Sequence, residues 1–149
     1  WIARHPAATA LAAPGLSEKR PQIPIQATLC QSYSPDWGEE LDHECLQGAP
    51  KLNEVVLFHV PTRTLIVTDL FFYLSDATGP LALYGWLNRC RSQPASTSVL
   101  RMMIKDHALF GRSVQRVLDW NPDRLILSHG ACIERDAAGA IRAGLERWI

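Results

Sequence analysis

The stretch Asn53-Glu54-Val55-Val56-Leu57-Phe58-His59-Val60-Pro61-Thr62-Arg63-Thr64-Leu65-Ile66-Val67-Thr68-Asp69-Leu70 decides the fold. It holds two runs rich in β-branched and aromatic residues, 53–60 and 64–70. Pro61-Thr62-Arg63 between them is short enough for a hairpin connection. A second apolar run, Arg124-Leu125-Ile126-Leu127-Ser128-His129-Gly130, has the same character. Short continuous apolar runs of this kind are the core strands of a buried sheet. Each run ends on a side chain able to bind a metal, Asp69 in one and His129 in the other. Sites on layered folds gather where strands end and loops begin, so a carboxylate and an imidazole far apart in sequence can converge there.

Outward from these runs the pattern is layered. Residues 8–13, 25–31 and 41–46 are expected strands, and residues 32–38 carry turn chemistry. Residues 76–91 are expected to be helical, with Leu81, Tyr84 and Leu87 on one face. Residues 99–120 give the longest helical pattern, with Phe110, Val114, Val117 and Leu118 at i, i+4, i+7 and i+8. Gly111 weakens that helix, and Asn121-Pro122 stops it. A last helix capped by Asp136 places Ile141, Leu145 and Trp148 on one face. Strands first, then helix, helix, strand and helix, predict an α/β, or α+β, layered domain spanning 1–149.

The chain has 149 residues, 47% of them apolar and 20% charged, which suits one domain with its own core. Fifteen basic and fifteen acidic side chains cancel. No stripe of basic residues points to nucleic acid, and no basic excess points to a membrane. No apolar run is long enough for a transmembrane helix. Trp1 to Pro6 reads as the last turn of a helix already under way, so the chain is expected to be the larger, C-terminal part of a domain. Cys30, Cys45, Cys90 and Cys132 form no CxxC pair, and reduced thiols in a cytoplasmic protein are expected.

Each candidate site residue has a plainer reading. Asp69 can be a helix cap or a salt-bridged carboxylate, although an ionised group at a buried strand end needs a partner or a metal. His129 can be a hydrogen-bonded structural group; Gly130 beside it permits a tight turn or close approach. His59 reads as a packed histidine or as a partner to a metal ligand. His5, His43 and His107 are expected at the surface, and Asp106 on a solvated helix face. Ser128 lacks the G-x-S-x-G elbow of a nucleophile, and no Walker or dinucleotide glycine motif occurs.

The 53–70 hairpin resembles the central hairpin of metallo-β-lactamase-fold proteins, closest to an uncharacterised bacterial branch, a domain of unknown function. Ala12-Ala13-Pro14-Gly15-Leu16 with Lys19-Arg20-Pro21, and Trp120 with residues 124–130, match the same branch. The resemblance implies an αββα sandwich, incomplete here at its N-terminus. It implies that Asp69 matches the aspartate that can bridge two metals and His129 the last metal histidine. The superfamily's H-x-H-x-D-H cluster would precede Trp1. Its third histidine would fall near Lys51-Leu52, where this chain has none; Glu54 or His43 could substitute, though neither fits the pattern. The expected activity is that of a metal-dependent hydrolase using a metal-activated water. The expected cofactor is zinc, with iron or manganese as alternatives, and the substrate an unidentified small molecule. Phe71, Phe72, Tyr73, Tyr84 and Trp86 suit a partly apolar one. Whether the chain is an enzyme stays open. The alternative is a degenerate, metal-free member of the fold acting as a binding or structural module, and the 149 residues alone are expected to be inactive.

Overall fold

A computed structural model describes residues 2–30, 35–37 and 39–148. The turn expected at 32–38 falls largely outside them. The chain forms two compact units, Trp1–Asp36 and Trp37–Ile149. In the first, β1 (Leu11–Ala12) pairs in parallel with β2 (Ala27–Thr28), and α1 (Leu16–Lys19) lies between them in sequence. Both strands are shorter than the runs that predicted them. Residues Ile2–Arg4 form a 3₁₀ turn.

The second unit is built on a four-stranded sheet in the order β3-β4-β5-β6. Its strands are β3 (Leu41–Cys45), β4 (Val55–His59), β5 (Thr64–Tyr73) and β6 (Arg124–Gly130). The expected hairpin is present: Leu57, Phe58 and His59 of β4 pair antiparallel with Ile66, Leu65 and Thr64 of β5. The β6 run then joins β5 in parallel, Leu65 facing Leu125 and Val67 facing Leu127. A parallel neighbour requires a crossover, and the long segment carrying three helices supplies it. These are α2 (Gly79–Leu87), α3 (Ser98–Met103) and α4 (His107–Asp119); α5 (Ala137–Leu145) follows β6.

Alternation along the strands makes the core. Val56, Leu65 and Leu125 are fully buried, together with Phe110, Val114 and Val117 of α4 and Ile141 and Leu145 of α5. Each such side chain contributes about 1.5–3 kcal/mol on leaving water. Trp120 stacks on Phe58 at 5.2 Å and donates its indole N–H to Asp42 (3.1 Å). Arg116 of α4 forms a bidentate pair with Glu44 of β3, its Nε 2.8 Å from Oε2, and that bond pushes the guanidinium pKa up.

Several expectations are corrected. The pattern over 99–120 is two helices, not one. Asp106 breaks it by capping α4, accepting from the Leu109 N–H at 2.9 Å, while the Lys105 and Asp106 N–H groups turn to the Gly48 carbonyl. At Gly111 of α4 a Cβ would stand 2.3 Å from the Trp148 carbonyl, so glycine lets that backbone approach. In α2, Gly85 is the buried residue; Leu81 and Leu87 of the expected apolar face are 53% and 64% exposed. Asp136 precedes α5 in a left-handed conformation without a side-chain cap, and its N–H bonds Asp123 instead. Cys30 and Cys45 are disulfide-bonded, leaving Cys90 and Cys132 as free thiols, so the thiol argument for a cytoplasmic location falls away. Pairing depends on proximity in the fold, which spacing along the chain does not reveal. No described helix is long and apolar enough to cross a membrane.

Candidate metal centre at a bulge between two parallel strands

The candidate site exists because β5 leaves its ladder. Up to Val67 the strand follows β6 residue for residue. The next aligned pair is Phe72 with His129, so residues 68–71 of β5 span the same interval as Ser128 alone in β6. A bulge of this size re-aims side chains and strips backbone groups of their ladder partners. Those groups must be satisfied elsewhere.

Glu54 satisfies them. It stands just before β4 and is only 3% exposed. Its carboxylate accepts from the N–H of Thr68 (2.7 Å), the N–H of Asp69 (3.0 Å) and the Thr68 hydroxyl. Ser96 donates its hydroxyl to the Leu70 carbonyl at 3.0 Å, and Phe72 exchanges backbone bonds with Ala95. The bulge is thus held from both sides, and Asp69 is turned outward.

The outcome is a pair. Asp69 Oδ1 lies 2.8 Å from His129 Nε2, with the two side chains 56% and 41% exposed. The ring of Phe72 stacks on the His129 ring at 4.2 Å and 12°, which fixes the imidazole plane. Gly130 ends β6 with φ +118°; a Cβ there would lie 1.9 Å from the Tyr73 carbonyl. No side chain larger than hydrogen fits, because the β5 backbone, not a ligand, approaches there.

The structure therefore brings Asp69 and His129 together and sets Glu54 behind the Asp69 backbone. His59 is elsewhere. It pairs with Thr64, on the order of 15 Å along β5 from Asp69, and its Nδ1 bonds the Thr62 hydroxyl at 2.7 Å. His43 on β3 packs edge-on against Trp37 at 5.4 Å, and His107 stacks on Trp148. Both carboxylate oxygens of Glu54 are engaged with β5, so it is placed as a clamp rather than as a donor facing the pair. No group of three or more His, Cys, Asp or Glu side chains among the described residues is arranged to hold an ion. Asp69 and His129 suit a borderline cation as a partial donor set, one oxygen and one nitrogen.

Each member of the pair lines a cavity. The larger, about 470 Å³, has His129 in its wall together with Leu74, Asp76, Ala77 and Leu81. The smaller, about 230 Å³, has Asp69 in its wall with Leu52, Tyr84, Val99, Leu100 and Met103. Phe72 lines both. Sequence reading anticipated Phe72 and Tyr84 here; Leu52 and Met103 carried no local signal, because helix α3 was read as part of a longer one.

No family model and no curated protein matches the chain. Solved structures do. It is similar to a metallo-β-lactamase from Pontibacter korlensis (TM-score 0.55, 13% identity) and to the DIM-1 metallo-β-lactamase exposed to ceftazidime (TM-score 0.53, 17% identity). Both alignments cover 99% of this chain and 60% of the solved one, so the chain spans about three fifths of the length of either. With its mixed four-stranded sheet, the protein has the metallo-β-lactamase fold.

Proposed function

We propose that the intact protein is a metal-dependent, hydrolase-like enzyme, with Asp69 and His129 as two of its metal ligands. One observation carries this reading: two metal-capable side chains, 60 residues apart, meet at 2.8 Å where the bulge in β5, a strand that runs on past Asp69 to Tyr73, faces the end of β6, beside two cavities that share Phe72 as a wall. The metallo-β-lactamase fold supports zinc as the ion, with iron or manganese as alternatives. Catalytic zinc takes three protein ligands and an open position. The remaining ligands would come from outside the described residues.

When a metal is bound, the chemistry it supplies is a water acidified to a pKa of about 7. The residues of this chain do the rest. Glu54 holds the Thr68–Asp69 backbone, so the Asp69 carboxylate is presented in one orientation. Phe72 fixes the His129 ring and presents Nε2 toward Asp69. Apolar side chains of the two cavities flank the exposed pair. Ester, amide, thioester and phosphodiester cleavage are the reaction types open to such a centre.

The test is turnover of a panel of these bonds by the full-length protein, with and without a chelator. Activity that is lost with chelator, restored by zinc and abolished in Asp69→Asn is expected. A second reading has one observation in its favour: Asp69 and His129 already satisfy each other, with no third ligand among the described residues. A metal-free binding module would show neither chelator sensitivity nor any effect of Asp69→Asn.

A further inference from the structure

Helix α2 has the composition of a buried helix and the position of a surface one. Its nine residues carry no charge, and Tyr84 is its one polar side chain. A helix that is apolar all round is ordinarily buried. In α2 only Gly85 is. The six most exposed large apolar side chains among the described residues all lie on α2 and α3. They are Leu81, Leu83, Trp86 and Leu87 on the first helix and Val99 and Met102 on the second. Trp86 is 68% exposed and Met102 76%. With 3.6 residues per turn, Leu83, Trp86 and Leu87 fall within an arc of about 100°, on the side away from Gly85. The two helices meet at one corner, where the buried Asn88 side chain accepts from the Ser98 N–H at 2.7 Å. An exposed apolar cluster of this kind marks a docking surface for a protein or a membrane.

Charge distinguishes the two. The chain is neutral as a whole, but residues 77–105 hold four basic side chains, Arg89, Arg91, Arg101 and Lys105, and no acidic one. The carboxylates that bracket this segment are used elsewhere: Asp76 faces the larger cavity, and Asp106 caps α4. Arg89 and Arg101 share a depression with Leu87, at the edge of the apolar cluster. Neither has an ion pair among the described residues. A surface that is acidic above and apolar beneath answers both features at once. A second copy would supply the apolar face, but no carboxylate from this segment.

We propose that the α2–α3 face docks on an anionic lipid bilayer. Leu83, Trp86, Leu87 and Met102 reach the boundary of the acyl chains, and Arg89 and Arg101 sit at the level of the headgroup phosphates. Docking of this kind lies on the membrane and does not span it. Tryptophan favours the water–lipid interface, and an arginine stem can lie along apolar surface while its guanidinium stays among polar groups. The docking uses neither Asp69 nor His129, so it stands apart from the metal reading.

The test is cosedimentation of full-length protein with vesicles of phosphatidylcholine alone and of phosphatidylcholine mixed with phosphatidylserine. Binding to the mixed vesicles is expected to be about 30-fold tighter and to weaken with added salt. Arg89→Gln and Arg101→Gln should each weaken it by about fivefold. Leu83→Asn and Trp86→Asn should each weaken it by about tenfold. Arg89, Leu83 and Trp86 are exposed and Arg101 partly so, and thermal unfolding of each variant should match the parent. A readout at one position uses phosphatidylcholine with brominated acyl chains in the same mixture. Trp86→Phe should still bind but lose most of the fluorescence quenching seen in the parent, although four of the five tryptophans remain. Equal binding to the two kinds of vesicle, or binding to neither, would overturn the proposal. So would binding that is unchanged in both arginine variants or in both apolar ones. A dimer that ignores vesicles and is abolished by Leu83→Asn would overturn it and identify a second copy as the occupant.

Discussion

The two halves of β5 obey different rules. From Thr64 to Ile66 the strand is paired on both sides, Val67 is still paired with β6, and Leu65 and Val67 are buried in the core. From Thr68 onward it abandons the register with β6, and a buried carboxylate from the neighbouring strand region replaces the missing ladder bonds. The first half is held by apolar area, which is non-directional and tolerant of detail. The second half is held by a few directed hydrogen bonds, each costly to lose. The comparison shows how one strand can serve as core at one end and present Asp69 at the other.

Breaking the first half should have the largest effect. Leu65→Ala removes a fully buried side chain, and a loss of about 2–5 kcal/mol is expected by urea unfolding. Glu54→Gln comes next. One of its carboxylate acceptors becomes an N–H₂ donor facing the bulge donors, and a loss of about 1–3 kcal/mol is expected. Amide exchange at Thr68 and Asp69 should accelerate in that variant while Leu65 and Val67 stay protected. Equal acceleration in both halves would break the distinction between them. Asp69→Asn should be the mildest to stability, within about 0.5 kcal/mol, because its side chain is more than half exposed.

Thiol chemistry gives a probe with no stability cost. Cys132 is exposed, whereas Cys90 is fully buried and donates to the Ala95 carbonyl beside Phe72. Burial pushes the Cys90 thiol pKa up, against a smaller downward pull from Arg101. The thiolate is the reactive form, so a raised pKa leaves less of it at neutral pH. Native protein should therefore react at one free thiol with a disulfide reagent, and at Cys90 only after unfolding. Rapid reaction of both would show that the bulge region opens readily.

The same contrast explains what the sequence made legible. The hairpin, the parallel β6 strand and the core face of α4 follow from periodicity, and Asp69 and His129 were visible as polar ends of apolar runs. The clamp by Glu54 left no mark; a lone glutamate before a strand reads equally as a surface charge or a substitute ligand. Asp106 is exposed as expected, but it caps α4 instead of lying within one long helix, and the turn before it is held by the Gly48 carbonyl, more than fifty residues away. The Cys30 and Cys45 disulfide bonding was hidden for the same reason. Long-range satisfaction of polar groups is a property of the folded chain, and local pattern does not carry it.

The most direct test of the metal centre is the metal content of purified full-length protein beside its His129→Ala and Asp69→Asn variants. Near-stoichiometric zinc, iron or manganese in the parent, falling sharply in both variants while each remains folded, is the result this account predicts. Absence of metal from a well-folded parent, or content unchanged in both variants, would contradict it and leave Asp69 and His129 as a structural pair on a metallo-β-lactamase fold.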